Sequence, residues 1–172
     1  VYGITEHTLA RDFRASQEEA IYWLKSHKRA YPKIYDWMRD QHDFMRKHGW
    51  IKGRFDQIRH LPEILDPDLP QWRVDRILRQ TGNFPIQNLG AHITDLATIW
   101  TDEELIWCSE TLHTKSILVH QVHDSTLTDT YPGEEEMVLR ITKDVMERRM
   151  QERCDFLQVK LKIDQTQNVR WQ

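Results

Sequence analysis

The sequence predicts an α+β fold, on three observations. The first half carries apolar residues at helical spacing. Two runs rich in β-branched residues flank a polar turn at His123-Asp124-Ser125. A last helical stretch then gives way to an alternating segment, Phe156 to Ile163. The 172 residues suit one domain or a domain and a half. Hydrophobic residues make up 39% and charged residues 30%, with seven Trp, which is a globular composition. A mean hydropathy of -0.72 limits the core and leaves apolar surface for a neighbouring domain.

A first segment runs from Glu6 to about Phe13. Ser16 then reads as an N-cap, because Glu18 and Glu19 follow in the first turn, where carboxylates suit the helix dipole. That helix reaches about Ala30, with Ile21, Leu24 and Lys28 on a partly apolar face. Pro32 opens the next, with Ile34, Trp37, Met38, Phe44 and Met45 as its stripe and Gly49 as its C-cap. Between Trp50 and Pro70 the pattern loosens, and Trp50-Ile51 and Ile58 suggest short strands. A charged helix is expected from about Gln71 to Thr81. Pro85 kinks or restarts it, since proline removes a helix hydrogen bond. Leu89, Ile93, Leu96, Ala97, Trp100 and Leu105 give the stripe of a segment from Ile86 to Ser109. Ser116 to Val122 and Thr126 to Thr130 read as two strands of a hairpin. A helix from Glu134 to about Arg153 and a strand from Phe156 to Ile163 complete the chain, ahead of a polar tail.

Several function classes lack their signatures. No P-loop, G-x-S-x-G element or dinucleotide fingerprint occurs. Nine His invite a zinc guess, but structural zinc spacing is absent. Along a regular strand His120 and His123 face opposite sides. Cys108 and Cys154 lie far apart without a C-x-x-C pair, which fits free thiols in a reducing compartment. No apolar run is long enough to span a bilayer, so no membrane partner is expected. The net charge of -3 lacks the basic excess of a free-standing nucleic-acid binder. Val1 stands where a Met would open a complete protein, and the chain reads as the interior of something longer.

Three features carry chemistry. Asp124, at a hairpin tip, is exposed yet held by two strands. A carboxylate so placed suits hard Mg²⁺, and it suits the turn itself equally well. Arg79, Asn83 and Gln87 recur every four residues, so in a helix they stack along one face. There they meet either nucleic-acid acceptors or solvent. Arg73, Arg76 and Arg79, with Arg54 and Arg59 nearby, form a basic set that meets phosphates or water.

Taken in order, these pieces resemble family A DNA polymerases. Tyr2-Gly3 looks like the Tyr-Gly closing the family's nucleotide-binding fingers helix, and Tyr31-Pro32 follows between two helices. Arg59-His60-Leu61-Pro62 is similar to the family's Arg-x-Leu-Pro element. Arg79-x-x-x-Asn83-x-Pro85-x-Gln87 looks like its R-x-x-x-N-x-P-x-Q helix. Val122-His123-Asp124 matches its Val-His-Asp-Glu palm hairpin, with Ser125 in place of the Glu, one negative charge fewer. The terminal alternating strand and Trp171 are similar to its C-terminal end.

The resemblance implies a C-terminal piece, with part of the fingers over residues 1–62 and part of the palm over residues 63–172. It implies that Asp124 is catalytic and binds two Mg²⁺ ions, and that His123 lies near the primer end. Arg79, Asn83 and Gln87 would touch primer-template DNA. Tyr2 would lie where the templating base and incoming dNTP stack. The second metal-binding Asp and the triphosphate-holding Arg and Lys would precede Val1, in the remainder of the parent polymerase. The isolated chain would then be inactive, and its palm sheet would lack a strand. Two rival functions stay open: a non-catalytic nucleic-acid-binding module, and a metal-dependent nuclease recruiting Asp129 and Glu134.

Overall fold

The computed structural model describes residues 4–167. Two compact units divide the chain, Val1–Leu89 and Gly90–Gln172, and their boundary falls inside a helix.

In the first unit the capping signals act as the residues dictate. Helix α1 (Glu6–Phe13) is capped by Thr5, whose hydroxyl accepts from the Thr8 N–H. Helix α2 (Gln17–Ala30) starts on a full capping box. The Ser16 hydroxyl accepts from the Glu19 N–H, and the Glu19 carboxylate accepts from the Ser16 N–H. Pro32 opens α3 (Pro32–His48), where its missing N–H costs nothing. Gly49 ends α3 at φ 71°, a left-handed conformation glycine adopts without strain. It also sits tightly, since an added Cβ would lie 3.1 Å from the Pro62 Cα.

The expected short strands pair as an antiparallel hairpin, β1 (Trp50–Lys52) with β2 (Ile58–His60). A 3-10 turn follows at Pro62–Leu65. Helix α4 then runs without interruption from Gln71 to Leu112. Met45, Ile51, Ile64, Ile77 and Leu78 form the core of this unit, with Leu61, Leu69, Val74 and Phe84 packed around it.

Pro85 does not restart α4. The helix continues through it, because the turn before it is anchored. Thr81 and Gly82 are buried, and the Thr81 hydroxyl donates back to the Ile77 carbonyl at 2.9 Å. One lost hydrogen bond is offset by the packing on either side of it.

The second unit holds the C-terminal part of α4, the hairpin β3 (Ile117–Val122) and β4 (Ser125–Asp129), and helix α5 (Glu135–Lys143). A π-helical segment, Asp144–Arg149, and α6 (Met150–Arg153) continue from α5. Ala97, Leu105, Cys108, Val138, Val145, Met150 and Cys154 are its buried apolar residues. Both cysteines are free, and burial pushes both thiols up in pKa.

The expected strand from Phe156 to Ile163 is a correction. Among the described residues this segment forms no ladder. Its amides go to side chains instead: Leu161 N–H donates to Gln151 Oε1 at 2.9 Å and Ile163 N–H to Glu147 Oε1 at 3.2 Å. The alternation holds only in part, since Leu157, Leu161 and Ile163 are half-buried but Val159 is 79% exposed. Alternation sets which side chains face inward, but a strand also needs a neighbour to pair with.

Candidate polymerase site

The hairpin is built around a slip in register. Leu118 pairs with Thr128, but His120 pairs with Leu127, so Val119 is left as a bulge. The bulge rephases the strand. Leu118 and Gln121, three apart, become its half-buried residues. Simple alternation does not put them on one side, so the opposite facing expected for His120 and His123 has no regular strand to rest on.

Gln121 is the residue that sequence reasoning missed. Its Nε2 donates to Asp95 Oδ1 at 2.9 Å, and the Thr98 hydroxyl lies 2.9 Å from its Oε1. The same hydroxyl lies 2.8 Å from the Thr94 carbonyl, and its one proton serves one acceptor at a time. These bonds fasten the turn end of the hairpin to α4. The one available signal was a long polar side chain within an Ile/Leu/Val strand.

Beyond Gln121 the turn has two residues, His123 and Asp124, between the paired Val122 and Ser125. His123 takes φ 54°, a left-handed value that His adopts more readily than most residues. Asp124 is exposed. Its carboxylate makes no hydrogen bond or ion pair among the described residues, so both oxygens are available to an external cation. No three His, Cys, Asp or Glu side chains converge to hold a metal among the described residues. The turn therefore presents one exposed carboxylate, with no cluster of metal-ligating side chains around it among the described residues. Gln121→Leu keeps the side-chain bulk and removes the clamp. In the full-length protein we expect about a tenfold loss of activity from misplacement of Asp124, read as a lower kcat. Unchanged kcat would mean that the two strands alone hold the turn.

The residues weighed for a nuclease are occupied or distant. Glu134 accepts from the Ser116 hydroxyl at 2.5 Å and from the Ser116 and Lys115 amides at 2.9 and 3.0 Å. It closes the start of β3. Asp129 pairs with Ile117 at the far end of the hairpin, about 16 Å along the strand from Asp124.

The Ser116 hydroxyl, chiefly, holds the Glu134 carboxyl below its ordinary range, with the two amides and Lys115 adding to it and burial opposing. A carboxyl depressed by folding contributes stability above its unfolded pKa of about 4.3 and loses it as pH falls through the lower folded value. Thermal melts across acid pH should therefore show Glu134→Gln less stable at pH 7 and flatter in its acid limb. An acid limb as steep as wild type would remove Glu134 from the account.

In the first unit, α4 carries Arg79, Asn83 and Gln87. Because α4 is unbroken through Pro85, the spacing of four puts all three on one helix face. Arg79 and Gln87 are exposed and Asn83 is half-buried. Of the other basic residues, Arg59 donates to Gln80 Oε1 at 3.1 Å and lies over the Phe84 ring, and Arg73 lies over Trp72. Tyr2 and Trp171 lie outside the described residues. The structure thus groups Arg79, Asn83 and Gln87 on one helix face and His123 with Asp124 in one turn.

Comparison with known proteins decides the family. The model of DNA polymerase family A matches residues 1–172. The chain belongs to DNA polymerase family A. Among the relatives of this family A chain, DNA polymerase I of Caldicellulosiruptor bescii is 28% identical over 172 residues, covering 99% of the chain and 19% of that relative. DNA polymerase I of Mycobacterium bovis is 30% identical over 145 residues, covering 84% of the chain and 15% of that relative. The chain thus spans less than a fifth of the length of these relatives. Among solved structures, the POL domain of Pol1 from M. smegmatis, in complex with DNA primer-template and dNTP, matches with a TM-score of 0.72 and 29% identity. That match covers 85% of this chain and 25% of the other.

Proposed function

We propose that this chain forms part of a DNA-directed DNA polymerase that adds deoxynucleotides to a primer 3′ end along a template. The observation that carries the reading is the unpaired Asp124 carboxylate, presented by a braced two-residue turn in a family A chain. Asp124 is a catalytic Mg²⁺ ligand. Bound Mg²⁺ supplies the cationic charge that phosphoryl transfer needs at the reacting oxygens. The residues of this chain fit that role only in part, since a lone carboxylate cannot organise two ions. A second acidic ligand therefore comes from outside residues 1–172, and the isolated chain does not polymerise. Ser125 lowers the negative charge next to Asp124.

The remaining assignments follow the same reading. Arg79, Asn83 and Gln87 present a donor-rich helix face to primer-template DNA. His123 lies by the primer end, and Tyr2 contacts the templating base or the incoming dNTP. Residues 1–62 act as fingers and residues 63–172 as palm. The neighbour's complex with primer-template and dNTP supports these partners. No helix among the described residues is long and apolar enough to cross a membrane, and buried free thiols suit a reducing cytoplasm. The test is primer extension by the full-length protein with Mg²⁺ and dNTPs, with EDTA as control. Template-directed extension that EDTA abolishes supports the reading. Primer binding without extension would favour a non-catalytic binding module.

A further inference from the structure

The turn between β1 and β2 is fitted to α4 by the shape of one side chain. Gly53 opens that turn and is buried. Its φ is not left-handed, so the backbone conformation alone does not call for glycine. Space does. A Cβ added at Gly53 would lie 2.0 Å from Asn88 Oδ1 and 3.0 Å from Asn88 Cγ, inside van der Waals contact. The Asn88 amide of α4 thus fills the place of the missing side chain. Asn88 Oδ1 is itself buried and has no hydrogen-bond partner among the described residues, so its seat against Gly53 rests on packing. The turn it meets is closed by its own bonds. Gly53 N–H donates to the Gln57 carbonyl at 2.7 Å, and Asp56 N–H donates to the Gly53 carbonyl at 3.3 Å. Lys52 and Asp56 add an ion pair at 2.7 Å. Such a turn moves as one piece.

A second attachment lies along the same helix. Arg59 of β2 donates to Gln80 Oε1 at 3.1 Å and lies over the Phe84 ring. Gln80, Phe84 and Asn88 recur every four residues, so they form one stripe of α4, and all three are half-buried. The hairpin is therefore pinned at two places, Gln80 and Asn88, about 12 Å apart along the helix axis. Arg79, Asn83 and Gln87 each stand one residue earlier, on the neighbouring stripe. Any shift of the hairpin on α4 changes the flank of that face. We propose, on the reading above that this face meets primer-template DNA, that Asn88 is a positioning residue. Seated against Gly53, it sets the β1–β2 hairpin beside Arg79, Asn83 and Gln87, and so governs how tightly their face takes primer-template. Asn88 touches no reacting atom and acts only through the hairpin.

The test is steady-state primer extension by the full-length protein, with primer-template varied at saturating dNTP and Mg²⁺. Gly53→Ala, Asn88→Ala and the two combined are compared with wild type. Gly53→Ala forces the turn or the amide aside, so KM for primer-template should rise about tenfold while kcat stays within about twofold. Asn88→Ala removes Oδ1 and Cγ and leaves a Cβ 3.6 Å from one added at residue 53, an ordinary contact. The combined variant should therefore bring KM back to within about twofold of wild type, a coupling expected only of residues that touch. A merely structural contact would lower the melting temperature and leave KM where it was. A folded Gly53→Ala variant with wild-type KM would overturn the proposal, and so would a combined variant no better than Gly53→Ala. Should Gly53→Ala fail to fold, Asn88→Ala decides. Loss of the seat should raise KM about threefold, and a wild-type KM would overturn the proposal. Wild-type protein that extends no primer removes the reading of the Arg79 face, and the role of Asn88 falls with it. Wild-type extension with KM unmoved in every variant removes the role of Asn88 alone.

Discussion

Asp124→Ala should reduce template-directed primer extension by the full-length protein by about 10³-fold or more, a loss of about 4 kcal/mol of transition-state stabilisation. The chemistry demands a large effect. Phosphoryl transfer draws little covalent help from the protein and depends on cations held where charge develops. A carboxylate that holds such a cation cannot be replaced by a methyl group. Asp124→Asn should be nearly as damaging, because it keeps the shape and removes the charge. Neither change should disturb the fold. Asp124 is exposed and makes no side-chain bond among the described residues, and surface substitutions away from caps and networks stay within about 0.5 kcal/mol. The decisive comparison sets extension rate beside thermal stability. Full activity in Asp124→Ala would leave the family membership intact and remove Asp124 from catalysis. Lost activity with a lowered melting temperature would move the cause from chemistry to folding.

The largest effect on stability is expected from Met45→Ala. Met45 is wholly buried at the end of α3, among Ile51, Ile64, Ile77 and Leu78. Truncating a buried Met to Ala costs about 2–5 kcal/mol, from the lost transfer free energy and the cavity left behind. In a chain of this size that lowers the melting temperature by roughly 5–15 °C. Val159→Ala is the matched control, since Val159 is 79% exposed and should change stability by less than about 0.5 kcal/mol. Thermal unfolding followed by circular dichroism reads both. A Met45→Ala variant that melts with wild type would mean that the α3 end is not part of the cooperative core.

Where a structural element depends on residues next to each other, it was legible in the sequence. Ser16 and Glu19 lie three apart and cap one another, so α2 begins where the residues say it does. Pro32 and Gly49 bracket α3 for the same local reason. The β3–β4 hairpin could be read because its turn and both strands are contiguous. Pro85 misled because its local cost is real, and the burial of Thr81 and Gly82, which offsets it, is a tertiary fact.

The candidate site divides along the same line. By itself the sequence determined the start of α2 and both ends of α3, the hairpin tip that carries His123 and Asp124, the every-fourth-residue spacing of Arg79, Asn83 and Gln87, and a resemblance that the family match bears out. Only the tertiary structure decided that Val119 bulges, that Gln121 reaches 26 residues back to Asp95, and that Glu134 closes β3 from 18 residues beyond Ser116. It also decided that Phe156 to Ile163 lies along side chains and forms no strand among the described residues. The physical reason is the range of the interaction. Caps and turns are satisfied within a few residues, so their donors and acceptors can be counted along the chain. A clamp, a bulge or a ladder depends on which distant group folding brings within about 3 Å, and that partner has no fixed offset in the sequence.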